Sequence, residues 1–104
     1  MEQIAFTMQL NPGMEAEYRA RHDAIWPELV ELLHQVGISD YSIFLDPTTH
    51  VLFAVLRRTE DHNMDAMALD PLMHRWWDYM ADLMATGADS IPVTQALNPV
   101  FHMP

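Results

Sequence analysis

Tyr18 and His22 stand one helical turn apart, just before Ile25-Trp26-Pro27-Glu28-Leu29, and Arg75-Trp76-Trp77 follows in the second half of the chain. Residues at i and i+4 share a helix face, so a phenol and an imidazole are expected to point into the same space. Histidine is the side chain whose ordinary pKa lies near neutrality, which fits it to give and take a proton. Adjacent tryptophans offer broad apolar plates, each with one N–H donor. Such a site suits a polar ligand that also carries C–H faces, such as a sugar. His34, His50, His62, His74 and His102 show no His-x-x-x-His spacing, so no metal is expected.

Each of these residues also has an ordinary structural reading. A lone histidine on an amphipathic helix is usually structural, tyrosines on core-facing rows are commonly half-buried, and large aromatics at helical spacing are core by default. Trp26, before Pro27, reads as a packing residue, and Arg21 and Arg75 as partners for carboxylates or helix ends, outside the site. The methionines fall at helical and strand-core positions, where they serve as adaptable core filler.

Positioning the aromatic groups takes a small folded domain. The 104 residues are read as one domain, 1–104, half of them hydrophobic, and this composition excludes disorder. A net charge of −10 with five Lys and Arg leaves no basic stripe for nucleic acid and no attraction to an anionic membrane. The absence of Cys removes any disulfide framework or thiol nucleophile, and no apolar run reaches membrane length or forms a leader. The expected setting is cytoplasmic.

Alternation of Ile4, Phe6, Met8 and Leu10 predicts a first strand over 3–10. Asn11-Pro12 offers an N-cap and a proline for a helix carrying Met14, Tyr18, His22 and Ile25, with a break at Pro27. Asp23 is placed as a cap for a second segment carrying Leu29, Leu32, Leu33 and Val36, which stops at Gly37. Tyr41, Ile43 and Leu45 alternate, Asp46-Pro47-Thr48-Thr49 is turn chemistry, and 51–56 is a strand, together a hairpin. Residues 60–69 are weakly helical. Asp70-Pro71 opens a helix with Leu72, Trp76, Tyr79 and Leu83 on one stripe and Met73, Trp77, Met80 and Met84 on its neighbour. Residues 92–103 read as a last strand, with Pro99 marking an edge or bulge.

The order is β-α-β-β-α-β, an α+β ferredoxin-like plait with both helices on one face of an antiparallel sheet. Val51-Leu52-Phe53-Ala54-Val55-Leu56 has no polar side, yet the helices cover one face alone. A second copy packed sheet to sheet would cover the other, so a homodimer with a dimeric α+β barrel is expected.

Glu17-Tyr18, Arg21-His22, Ile25-Trp26-Pro27-Glu28-Leu29, Tyr41, Arg75-Trp76-Trp77, Tyr79-Met80 and the closing Phe101-His102-Met103-Pro104, in this order over nearly the whole chain, resemble the L-rhamnose mutarotase family. The resemblance implies a cytoplasmic homodimer of dimeric ferredoxin-like fold that interconverts the α and β anomers of L-rhamnose without metal or organic cofactor. It implies His22 as the proton donor and Tyr18, Tyr41, Trp76 and Trp77 as sugar-binding residues. The chain departs from the family at Ala88-Asp89-Ser90-Ile91-Pro92, where an Asp-Asn-Ser-Pro-type segment is usual. Two other readings share the plait: a cofactor-independent monooxygenase or haem-degrading protein, and a non-catalytic ligand-binding dimer whose aromatics line a cavity. The joint occurrence of Tyr18, His22 and the tryptophan pair favours the mutarotase.

Overall fold

A strand without a polar side belongs inside a sheet, and Val51–Leu56 lies there. In the computed structural model, which describes residues 1–104, this run forms most of β3 (Val51–Arg58), between β2 (Ile38–Leu45) and β1 (Glu2–Gln9). β4 (Gln95–Ala96) completes a four-stranded sheet of order β2-β3-β1-β4, antiparallel throughout. Three α-helices accompany the sheet: α1 (Glu15–Asp23), α2 (Pro27–Gln35) and α3 (Pro71–Met80). Tighter 3₁₀ turns occupy Met64–Leu69, Ala81–Leu83 and Ala88–Ser90. No helix is long and apolar enough to cross a membrane.

The side chains that close the core are Leu10, Leu29, Ile38, Leu52, Leu56 and Leu83. Register pairs Ile4 with Leu56, Phe6 with Ala54 and Met8 with Leu52, which fixes one face of β1 and β3 towards the helices. On the other face Phe44 lies directly opposite Phe53, and these rings are 65% and 38% exposed.

The helix boundaries follow backbone chemistry. The first helix begins at Glu15 rather than at Asn11-Pro12, because Gly13 adopts φ 82 and a right-handed helix cannot run through it. Pro27 opens α2 at its first position, and Trp26, held extended by the following proline (φ −63, ψ 128), is its N-cap. Asp23 therefore ends α1 instead of capping α2. Gly37 ends the second helix in the left-handed region at φ 98, where a Cβ would also collide with Thr59 Oγ1. Asp70 caps α3 by accepting a hydrogen bond from the Leu72 amide at 2.8 Å, with Pro71 next. That helix stops at Met80 rather than running on to Met84, and its buried line is Met73, Trp76 and Met80, which falls between the two expected stripes.

Two strand features depart from the sequence reading. The last strand is two residues long rather than spanning 92–103, because Pro92 and Pro99 supply no N–H and it pairs at an edge with Phe6 and Thr7 alone. Val100, Phe101 and Met103 beyond it are almost fully exposed. In β2, register shifts between Ser39 and Ser42, so Asp40 and Tyr41 together oppose Leu56 in a bulge, with Asp40 at φ 50. The hairpin to β3 closes as expected: Asp46 Oδ1 accepts from the amides of Thr48 at 2.9 Å and Thr49 at 3.4 Å.

Candidate active site

One turn of α1 places Tyr18 and His22 ring on ring, centroids 4.3 Å apart and planes 30° from parallel. The edge of Trp76, from α3, meets His22 at 5.4 Å and 89°. Trp76 is buried, so the imidazole rests between a covered phenol and a covered indole.

A backbone carbonyl orients the ring. His22 Nδ1 lies 3.0 Å from the Tyr18 carbonyl oxygen. A carbonyl only accepts, so Nδ1 carries the proton and donates, leaving Nε2 with the free lone pair. Burial lowers the His22 pKa below the ordinary histidine value, while the hydrogen bond to Tyr18 and the charge of Asp23 oppose that shift. At neutral pH His22 is therefore uncharged, a base at Nε2 that becomes an acid once it has taken a proton.

The sign of the pH dependence follows. Because the folded pKa is depressed, folding loses stability as pH falls below about 6.5, the unfolded histidine value, and through the folded one. If the neutral imidazole is the working form, activity holds level across neutral pH. Its acid limb then lies below the ordinary histidine range, which a pH–rate profile over pH 4–8 (about two units either side of 6) checks.

Tyr41 joins from the bulge in β2. Its ring meets Phe6 edge-on at 6.5 Å on the helix-facing side of the sheet. The residue is 39% exposed, and burial of its hydroxyl among surrounding protein pushes its pKa up to about 12. Burial also raises the Tyr18 pKa, and charge on Tyr41 would raise it further, which puts the two phenols within electrostatic reach. Both stay neutral, each able to donate and accept a hydrogen bond.

The fifth expected site residue sits differently. Trp77, about 100° round the helix from Trp76, meets His74 edge-on at 5.2 Å and is not among the rings touching His22. Two concavities, about 390 Å³ beside Trp26, Glu28, Leu72 and Arg75 and about 360 Å³ beside Phe6, Arg58, Met64 and Leu97, leave His22 outside both.

Three residues left out of the site by sequence reasoning touch its walls. Trp26 meets Trp76 edge-on at 5.1 Å and stacks on Tyr79 at 5.7 Å. Arg21 lies over the Tyr79 ring, 4.6 Å from its centroid. The signal was present: Arg21 adjoins His22, and Tyr79 follows Trp76 at i+3.

A family model described as L-rhamnose mutarotase matches residues 3–103. The chain belongs to the L-rhamnose mutarotase family. An L-rhamnose mutarotase of Jannaschia sp. is 62% identical over 104 residues, covering 100% of both chains. That of Brucella anthropi is 61% identical over 103 residues, covering 99% of this chain and 97% of its own. A crystal structure of the Formosa agariphila L-rhamnose mutarotase superposes with a TM-score of 0.93 at 42% identity, covering 100% of both chains. As a member of this family, the chain carries the α+β architecture of that structure with its four-stranded antiparallel sheet. The segment at 88–92 forms the tight 3₁₀ turn Ala88–Ser90 packed against α3, with Asp89 and Ser90 at φ 58 and 60.

Proposed function

We infer that this family member interconverts the α and β anomers of L-rhamnose, and the His22 tautomer carries the inference: Nδ1 engaged by a carbonyl, Nε2 free, and the ring neutral at physiological pH. Mutarotation opens a cyclic hemiacetal and recloses it after rotation about C1–C2. On opening, the anomeric hydroxyl loses a proton, the C1–ring-oxygen bond breaks with its electron pair going to the ring oxygen, and that oxygen gains a proton. His22 is the donor to the ring oxygen. Its depressed pKa means that it must first acquire that proton, and the anomeric hydroxyl, bonded to the same C1 as the ring oxygen, supplies it. Reclosure on the other carbonyl face runs the transfers backwards.

The phenols of Tyr18 and Tyr41, held neutral by burial, hydrogen-bond sugar hydroxyls. Trp76 presents an apolar wall to the C–H face, and Trp77 contributes from the neighbouring helix face. No organic cofactor or metal is required by this proton bookkeeping.

The working unit is a homodimer in which two ferredoxin-like plaits close a dimeric α+β barrel. Support comes from the uncovered Phe44–Phe53 pair and the exposed apolar tail at Val100, Phe101 and Met103, which one chain leaves in water. Saturation-transfer NMR on equilibrated L-rhamnose tests the activity. Exchange between anomer signals speeds up with catalytic amounts of protein, and unchanged exchange with folded, dimeric protein removes the reading.

A further inference from the structure

We propose that Arg21 is a positioning residue for His22, acting through a clamp on the end of α3 and resting on the acid–base role just given. Its guanidinium spends its donors on three partners: Nε on Glu17 Oε1 at 2.9 Å, Nη1 on the Tyr79 carbonyl at 2.6 Å and on Asp82 Oδ1 at 2.8 Å, and Nη2 on Asp82 Oδ2 at 3.2 Å. The plane of the cation also covers the Tyr79 ring. An exposed ion pair of the usual kind orders little, but this side chain is 13% exposed, bidentate and stacked, the geometry in which arginine fixes a direction.

The contacts form a closed circuit. Arg21 grips Tyr79, Tyr79 stacks on Trp26, Trp26 meets Trp76, Trp76 meets His22, and His22 returns to Arg21 through one peptide bond. Two links join α1 to α3 and two join α3 to the residue before α2, so the circuit sets the distance between the helix that carries the imidazole and the helix that carries its indole wall. The 3₁₀ turn Ala81–Leu83 completes the device by presenting the Asp82 carboxylate towards α1. Misplacement of a catalytic group by about 1 Å costs on the order of a hundredfold in rate, so a residue that touches no sugar still governs turnover.

The test compares Arg21→Lys, Arg21→Ala and Asp82→Asn with Arg19→Ala, an exposed change on the same helix. Asp82 is itself exposed, so its amide variant removes the charge without opening the core. Expected are kcat values reduced about tenfold to a hundredfold in the three clamp variants, KM within about threefold, and wild-type kinetics for Arg19→Ala. Lysine keeps the charge but lacks the planar fork, and so does not rescue. In parallel, the His22 ring titration followed by NMR moves up towards the ordinary histidine value in folded Asp82→Asn, as packing around the ring loosens. Clamp variants with unchanged kcat and unchanged His22 titration overturn the proposal, as does activity lost solely in proportion to folded protein. Should wild-type protein leave L-rhamnose exchange unchanged, the functional reading fails by itself, while the titration still decides the clamp.

Discussion

Replacing His22 with alanine is expected to remove about 10²- to 10⁴-fold of the anomer-exchange acceleration while leaving a folded protein. That range is the usual worth of one positioned acid–base group, and the chain places no second imidazole in the cluster around Trp76. The fold should survive because His22 is half-buried near the end of α1 and its loss leaves every hydrophobic side chain of the core in place. What remains is binding: with Tyr18, Tyr41 and the tryptophans in their proposed role as sugar contacts, KM is expected to change less than kcat. The measurement is exchange between the two anomer signals at matched protein concentration, beside circular dichroism of the variant. Alanine at this position with wild-type exchange would move the proton chemistry to another group, and the buried phenols would be the first to examine.

The second large effect is expected on assembly. Glutamate in place of Phe53 puts a charge into the exposed aromatic pair of the uncovered sheet face, directly opposite Phe44. In a two-fold interface every substitution occurs twice, and each central aromatic lost costs about 2 kcal/mol or more, roughly a thirtyfold weakening per copy. Light scattering should report twice 12.0 kDa for the wild type and 12.0 kDa for the Phe53→Glu variant at micromolar concentration. The single chain keeps its own core, because Phe53 points away from Leu52, Ala54 and Leu56, which the helices cover. A wild type that already runs at 12.0 kDa would refute the dimer, and so would a variant that stays at double that mass.

Much of this architecture was legible because short-range patterns dominate it. Period-two alternation found β1 and β2, an unbroken apolar run after a turn found β3, and Gly37 and Asp70-Pro71 marked helix ends through backbone geometry that few other residues supply. Boundaries were missed where two local signals competed. Asn11-Pro12 looks like a helix start, but left-handed Gly13 two residues on overrides it. The apolar residues over 92–103 look like a strand, but two prolines and the lack of a neighbour beyond β1 limit the pairing to two residues. Within the site, spacing on one helix was enough to join Tyr18 to His22. Choosing which tryptophan faces His22 needed the crossing of α1 and α3, a tertiary fact absent from either helix alone. Arg21 and Trp26 were undervalued for the same reason, since their partners Tyr79 and Asp82 lie more than fifty residues away.

The bulge at Asp40 and Tyr41 divides β2 into two reading frames. Ile38 packs in the core and Tyr41 turns to the same side of the sheet, although an odd step of three would ordinarily send them to opposite sides. One extra residue absorbs the difference, so the half of the strand that anchors the core at Ile38 and the half that begins at Tyr41 keep independent parity. Length changes confined to this spot shift one frame against the other while leaving the pairs from Ser42 to Leu45 in place. Selection thus has a way to exchange the residue at position 41 without repacking the interior. The left-handed backbone of Asp40 is what holds that option open.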